Sequence, residues 1–386
     1  MEDKMTSPVS LRVPKIAFHL LALVVAPALM VGCQQSLSTP VGVPTPPTTT
    51  ATTASPAPTV APAVVYDATS NVYYIANGFA GTVTAVNATS NAVTGTIMVG
   101  PAGSDLYSIA VNPVTDLIYV VSNQTGTMTV INGANNQVAT TVPSAATLPV
   151  AVAVNSATNM VYVLGQGAQQ NLNVYSGATN GLVGGVAVAG TTYALAVNSA
   201  TNTVFASSVG TVTTVPATQT TPATLLSGPW LTVIDGATNA ITNTVLQQNT
   251  LTALAVNQTT NTVYGSNTAQ NYLTVIGQPT TPQGTPWAVE ANIMVGGSPG
   301  PIAVNQTTNT VYVGNTATDS VSVVNGATVA TTVSLTGVPT GLAANSAANL
   351  VYVAEAANVA VINGATNTVS GTVAAVQTTS STSPSK

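Results

Sequence analysis

From residue 62 onward the chain alternates short apolar runs with polar turns, and the runs are dominated by Val, Ile, Ala and Tyr. Runs such as Ile109-Ala110-Val111, Ile118-Tyr119-Val120-Val121-Ser122 and Met128-Thr129-Val130-Ile131 are rich in β-branched residues and too short for helices, which predicts strands. One phrase returns seven times: a small apolar run ending in Asn or Asp, a turn ending in Asn or Asp, an apolar run around an aromatic, a further apolar run, and another turn. Its first Asn or Asp falls at Asp67, Asn112, Asn155, Asn198, Asn257, Asn305 and Asn345, at spacings of 45, 43, 43, 59, 48 and 40. Its aromatic falls at Tyr74, Tyr119, Tyr162, Phe205, Tyr264, Tyr312 and Tyr352.

Four short antiparallel strands per repeat, seven times over, is the pattern of an all-β, seven-bladed β-propeller. One such blade is too thin to bury both faces, so neighbours stacked around an axis complete the core. The blades are expected at about 62–100, 101–145, 146–190, 191–248, 249–297, 298–337 and 338–377. Alanine recurs two positions before the turn Asn (Ala110, Ala153, Ala196, Ala255, Ala303, Ala343), as crowding near an axis requires. The aromatic row is expected to serve blade-to-blade packing, its hydroxyls reaching the edge. Asn132-Gly133, Asp235-Gly236, Asn325-Gly326 and Asn363-Gly364 mark the third connection of their blades, where positive φ is expected of Asn and Gly. Whether a terminal strand is shared to close the ring is left open. Two insertions break the rhythm: 209–229, a candidate lid over the channel, and 277–292, which holds Trp287 and Glu290.

Ahead of the repeats, Ile16 to Val31 is a mostly apolar stretch preceded by Arg12 and Lys15, the layout of a signal peptide over 1–32. Met30-Val31-Gly32-Cys33 resembles a bacterial lipoprotein processing box, which implies lipid attachment at Cys33 and a membrane partner through that lipid. Within that resemblance, Gln34 after the cysteine implies outer-membrane sorting, so the expected address is the cell envelope. Residues 33–61 are expected to be a disordered linker, since 34–61 hold 6 Pro and 8 Thr and no charge. A disordered tail is expected over 378–386.

Segments such as Asn309-Thr310-Val311-Tyr312-Val313-Gly314-Asn315 and Val130-Ile131-Asn132-Gly133-Ala134 resemble the YVTN-type β-propeller repeat of bacterial envelope and archaeal surface-layer proteins. The likeness spans about 316 of 386 residues, though the tetrad itself varies in every blade (YIAN, YVVS, YVLG, FASS, YGSN, YVGN, YVAE). It implies the fold rather than an activity, because one fold hosts many functions.

Charge narrows the chemistry further. Lys4, Arg12, Lys15 and His19 all precede Cys33, so the remainder holds one base, Lys386, against seven acids, a formal charge of −6. A basic patch for nucleic acid, an Arg clamp and His-based catalysis are thereby excluded, and the DNA binding of some YVTN-type relatives is not implied here. Asp67, Asp116 and Asp235 stand where most repeats have Asn and are expected to cap turns. Asp105, Asp319 and Glu355 are expected on one face of consecutive blades. If they converge, they offer the oxygen ligands of a Ca²⁺-type site, or carboxylates for a hydrolase or lyase. Gly296-Gly297-Ser298-Pro299-Gly300 matches a nucleophile elbow in letters only, having no histidine to serve it. The leading expectation is a lipid-anchored, non-enzymatic module that binds envelope proteins or polysaccharide, with Tyr66, Tyr107 or Trp230 as stacking surfaces. With so few titratable groups, stability is expected to change little between about pH 5 and 9.

Overall fold

The structure, a computed structural model, describes residues 63–166, 171–211, 227–278, 286–356 and 358–374. The signal-peptide, linker and tail segments and Cys33 lie outside the described residues, as does 212–226 of the expected lid. No helix among the described residues is long and apolar enough to cross a membrane.

Seven four-stranded antiparallel sheets follow one another along the chain. Blade 1 is β1 (Ala63–Asp67), β2 (Val72–Asn77), β3 (Thr82–Asn87) and β4 (Val93–Met98). Blade 2 is β5 (Leu106–Asn112), β6 (Leu117–Ser122), β7 (Thr127–Asn132) and β8 (Gln137–Pro143). Blade 3 is β9 (Pro149–Asn155), β10 (Met160–Gly165), β11 (Leu172–Ser176) and β12 (Leu182–Val186). Blade 4 is β13 (Thr191–Asn198), β14 (Thr203–Thr211), β15 (Ser227–Asp235) and β16 (Ala240–Leu246). Blade 5 is β17 (Leu254–Asn257), β18 (Thr262–Asn267), β19 (Tyr272–Gly277) and β20 (Ala288–Met294). Blade 6 is β21 (Pro299–Asn305), β22 (Thr310–Asn315), β23 (Ser320–Asn325) and β24 (Thr328–Ser334). Blade 7 is β25 (Gly341–Asn345), β26 (Leu350–Ala354), β27 (Asn358–Asn363) and β28 (Thr368–Ala374). The first strand of each blade lines the axis and runs from what we term the upper face to the lower face.

The buried apolar residues form seven clusters, and each one joins two neighbouring blades. Both faces of every sheet are covered in this way, and each fully buried Val or Ile contributes about 1.5–3 kcal/mol relative to exposure. The recurring aromatic is part of these slabs: Tyr74, Tyr119, Tyr162, Phe205, Tyr312 and Tyr352 are all fully buried. Trp287 from the blade 5 insertion fills the blade 4 to 5 slab, edge-on to Phe205 at 4.8 Å. Among the described residues no strand is shared to close the ring, because β1–β4 and β25–β28 form separate sheets. At the closure Tyr73 of blade 1 stacks on Tyr352 of blade 7 at 4.2 Å.

A ring of side-chain clamps binds the lower face. In blades 2 to 7 the Asn ending the first strand accepts backbone N–H groups of its own turn, as Asn155 Oδ1 does from Ala157 and Thr158. In blades 2 to 6 its Nδ2 then donates to Oδ1 of the last turn residue in the next blade: Asn112 to Asn159 (2.8 Å), Asn155 to Asn202 (2.7 Å), Asn198 to Asn261 (2.8 Å), Asn257 to Asn309, and Asn305 to Asn349 (2.8 Å). The last turn residue is left-handed in every blade, at φ 52 to 55° (Asn71, Asp116, Asn159, Asn202, Asn261, Asn309, Asn349). Asn tolerates that conformation, which explains the Asn or Asp that ends each turn.

The outer-turn glycines correct a sequence expectation. Only Gly326 among the four Asn-Gly or Asp-Gly pairs has positive φ; in the other three turns Asn136, Asn239 and Asn367 take the left-handed position. Gly133, Gly236 and Gly364 are glycine for a different reason, since a β-carbon there would collide with the side-chain oxygen of Asp116, Asn202 or Asn349. Blade 1 has Ala88 in that place, and Asn71 instead donates to Thr89 (2.8 Å) and accepts from the Tyr66 hydroxyl (3.0 Å).

Candidate binding face at the channel mouth

Two innermost strands open with a β-bulge. Leu106 pairs with Ser122 and Ser108 with Val121, leaving Tyr107 as the extra residue of β5. Thr192 pairs with Ser208 and Ala194 with Ser207, leaving Tyr193 as the extra residue of β13. A bulge leaves one residue out of the ladder, bends the strand locally and re-aims that residue's side chain. Tyr107 and Tyr193 are accordingly 47% and 39% exposed, while the adjacent Leu106 and Thr192 are buried.

β9 of blade 3 lies between those two strands at the axis. Its register also slips, between Leu164 and Gly165, leaving Val150 as the extra, buried residue. Just before it Leu148 is exposed at φ +46°, a left-handed conformation that is rare and costly for a branched apolar residue. The scaffold beneath is tied across blades: the Val152 N–H donates to Ser108 Oγ (3.2 Å) and Thr192 Oγ1 donates to the Gly165 carbonyl (2.9 Å). Phe79, on the 3-10 turn Gly78–Ala80 of blade 1, is the most exposed of these apolar side chains, at 62%. The upper face of blades 1 to 4 thus presents Phe79, Tyr107, Leu148 and Tyr193. Of these only Tyr107 was legible in the sequence; the others depend on where a strand begins and whether it bulges.

The axis widens toward the lower face into a cavity of about 240 Å³. Val65, Tyr66, Val256, Val304 and Ala343 line it, and Gln306 spans part of it by donating to the Val256 carbonyl (2.8 Å) and accepting from the Gln258 N–H (2.9 Å). Tyr66 sits here half-buried against Tyr352 at 5.8 Å, so it belongs to the face opposite Tyr107. Burial raises its phenol above the usual range, reinforced by Tyr352 and Asp67. Trp230 is 2% exposed within β15, which removes it as a stacking surface.

The three sequence-predicted carboxylates have separate surroundings. Asp105 is half-buried at φ +46° and its carbonyl accepts from the Asn123 N–H (3.1 Å). Asp319 is exposed at φ +42° and its carbonyl accepts from the Leu335 N–H (2.8 Å). Both positions use the tolerance of Asp for left-handed backbone. Glu355 is buried at the end of the second strand of blade 7; its Oε2 accepts from Thr336 (3.0 Å), and its Oε1 has no partner. Among the described residues no three His, Cys, Asp or Glu side chains gather closely enough to hold a metal ion, so these three are not brought together. Asp67 and Asp235 do cap their turns, accepting the Thr69 N–H (2.9 Å) and the Ala237 N–H (2.8 Å).

No protein-family model and no curated protein matches the chain. Solved structures resemble it in fold. Hydrazine synthase of Kuenenia stuttgartiensis aligns at a TM-score of 0.63 and 15% identity, over 81% of this chain and 98% of that one. The β-propeller domain of Myceliophteria thermophila Cps50 (Swd1) aligns at a TM-score of 0.60 and 8% identity, over 77% and 94%. At such identities the likeness establishes the class, a seven-bladed β-propeller, and carries no activity with it.

Proposed function

We propose that this chain is a lipid-anchored envelope propeller of the YVTN type that binds an uncharged partner, polysaccharide first and envelope protein second, on the upper face of blades 1 to 4. The observation that carries the proposal is the pair of equivalent bulges that expose Tyr107 and Tyr193 on either side of Leu148, itself held in a costly conformation. Tyrosine offers a flat apolar face for stacking and a hydroxyl for hydrogen bonding, which suits a sugar ring. The absence of basic side chains from 34–385 favours a neutral ligand over an anionic one.

The test is binding of the full chain to a panel of soluble polysaccharides and cell-wall fragments, read by thermal shift. A ligand of the native state raises the apparent melting temperature by mass action. Tyr107→Ala/Tyr193→Ala is expected to abolish the shift while leaving the ligand-free melting temperature within a few degrees of wild type, since both side chains are exposed. A shift that survives the double substitution would move the site elsewhere. In parallel, Cys33→Ser is expected to release the protein from the membrane fraction; retention there would argue against the anchor. The hydrolase or lyase alternative, with its divalent cation at Asp105, Asp319 and Glu355, draws no support from the placement of those residues.

A further inference from the structure

Five of the seven junctions between neighbouring turns on the lower face carry the amide clamp, and the junction from blade 1 to blade 2 replaces it with two acids. Asp67 takes the donor position, and Asp116, with the same left-handed backbone and the same approach to the outer-turn glycine as its Asn counterparts, takes the acceptor position. Where five other junctions join an amide N–H to a carbonyl, two carboxyl groups therefore face each other. The Thr69 hydroxyl beside Asp67 donates to the Pro113 carbonyl and holds the two turns together. Asp67 is fully buried; its Oδ1 accepts the Thr69 N–H (2.9 Å) and its Oδ2 accepts the Ser70 hydroxyl (3.0 Å). Asp116 is half-buried, and its Oδ1 has no hydrogen-bond partner. A carboxylate has no proton to give, so two charged carboxylates here can only repel. The other titratable groups facing the pair are phenols, Tyr74 from β2 toward both acids and Tyr66 from β1 toward Asp67. Every Lys, Arg and His of the chain lies at positions 4–19 or 386, outside the described residues, so none of the described side chains can neutralise a second charge.

We propose that blades 1 and 2 are joined by a single proton shared between Asp67 and Asp116, and that this joint loosens when the proton is lost. The proton replaces the amide hydrogen of the other links: one carboxyl donates, the other accepts. Burial, then the hydrogen bond to Asp67 and its charge, push the Asp116 carboxyl up from the ordinary range to about 7. An acid whose folded value lies above its unfolded value holds its proton more tightly when folded. Its stabilising effect is complete below about pH 4 and is lost as pH rises through about 7. Flat stability from pH 5 to 9, expected from the scarcity of charge, therefore gives way to a decline across the lower part of that range.

The experiment is thermal unfolding of the full chain at constant ionic strength from pH 5 to pH 8, with and without Ca²⁺, for wild type, Asp67→Asn and Asp116→Asn. Wild type is expected to lose about 5 °C across the range. Asp67→Asn restores the amide-to-oxygen link of the other blades, and is expected to melt at a pH-independent temperature, above wild type at pH 8. Asp116→Asn, which supplies a permanent donor, should flatten the profile as well. A flat wild-type profile, or a slope kept by both variants, overturns the proposal. So does a rise with Ca²⁺ at pH 8 that Asp67→Asn removes, which would make the pair a cation site. Should the variants not fold, the wild-type carboxyl resonance of Asp116 decides: a midpoint near 7 supports the shared proton, and a midpoint near 4 overturns it.

Discussion

Glycine in the outer turns of blades 2, 3, 4 and 7 illustrates how a residue's reason can lie in another residue. Gly177, like Gly133, Gly236 and Gly364, leaves room for the side chain of the left-handed residue in its own blade, here Asn159. That same Asn159 oxygen receives the clamp from Asn112 at 2.8 Å. A methyl group at 177 would displace the carboxamide and break the clamp, so Gly177→Ala is expected to cost about 2–4 kcal/mol, from overpacking plus a lost hydrogen bond. Gly371, on β28, has nothing within 4 Å of where its β-carbon would stand. Gly371→Ala should be neutral or stabilise by up to about 1 kcal/mol, through the unfolded chain. Urea midpoints at unchanged slope measure both; equal costs would show that the clamp does not depend on the space the glycine leaves.

The strand and the blade are the scale at which the sequence was most legible, and the recurring tyrosine shows where that legibility stops. Its period placed it on the second strand of each blade, because alternation and β-branching are properties of a single run. The fate of its hydroxyl is set by the outer turn of the next blade, about 60 residues on, which no local pattern records. Tyr74 reaches that turn and donates to Asn136 Oδ1 at 3.1 Å. The hydroxyls of Tyr119, Tyr162 and Tyr312 are buried without a hydrogen-bond partner. Tyr74→Phe is therefore expected to cost about 0.5–1.5 kcal/mol, whereas Tyr162→Phe should cost nothing or stabilise, since an unpaired buried polar group is itself unfavourable. Chemical denaturation of the two variants distinguishes them, and a larger loss from Tyr162→Phe would reveal a partner for that hydroxyl. The same limit hid Tyr193, Leu148 and the meeting of Asp67 with Asp116: a bulge and an inter-blade contact depend on register and ring closure, and each aspartate taken alone is an ordinary turn residue.

For the whole molecule, the buried aromatics set the alkaline limit of the fold. Burial raises the phenols of Tyr73, Tyr162, Tyr264, Tyr312 and Tyr352 above their ordinary value of 10.0, and carries Tyr74 and Tyr119 up to about 12. These acids keep their protons more firmly in the folded state, so their contribution is intact below about pH 10 and is lost as pH rises toward 12. None can ionise in place without leaving a charge inside an inter-blade slab, where no described basic residue is at hand. Because the slabs share blades, opening one exposes the next, and the buried phenols are expected to ionise together in a steep step that coincides with loss of the β-sheet circular dichroism signal. Phenolate absorbance and circular dichroism followed on one sample from pH 9 to 12.5 would test this. A gradual titration completed while the dichroism signal stands would mean that the slabs admit water blade by blade and that the ring does not unfold as one unit.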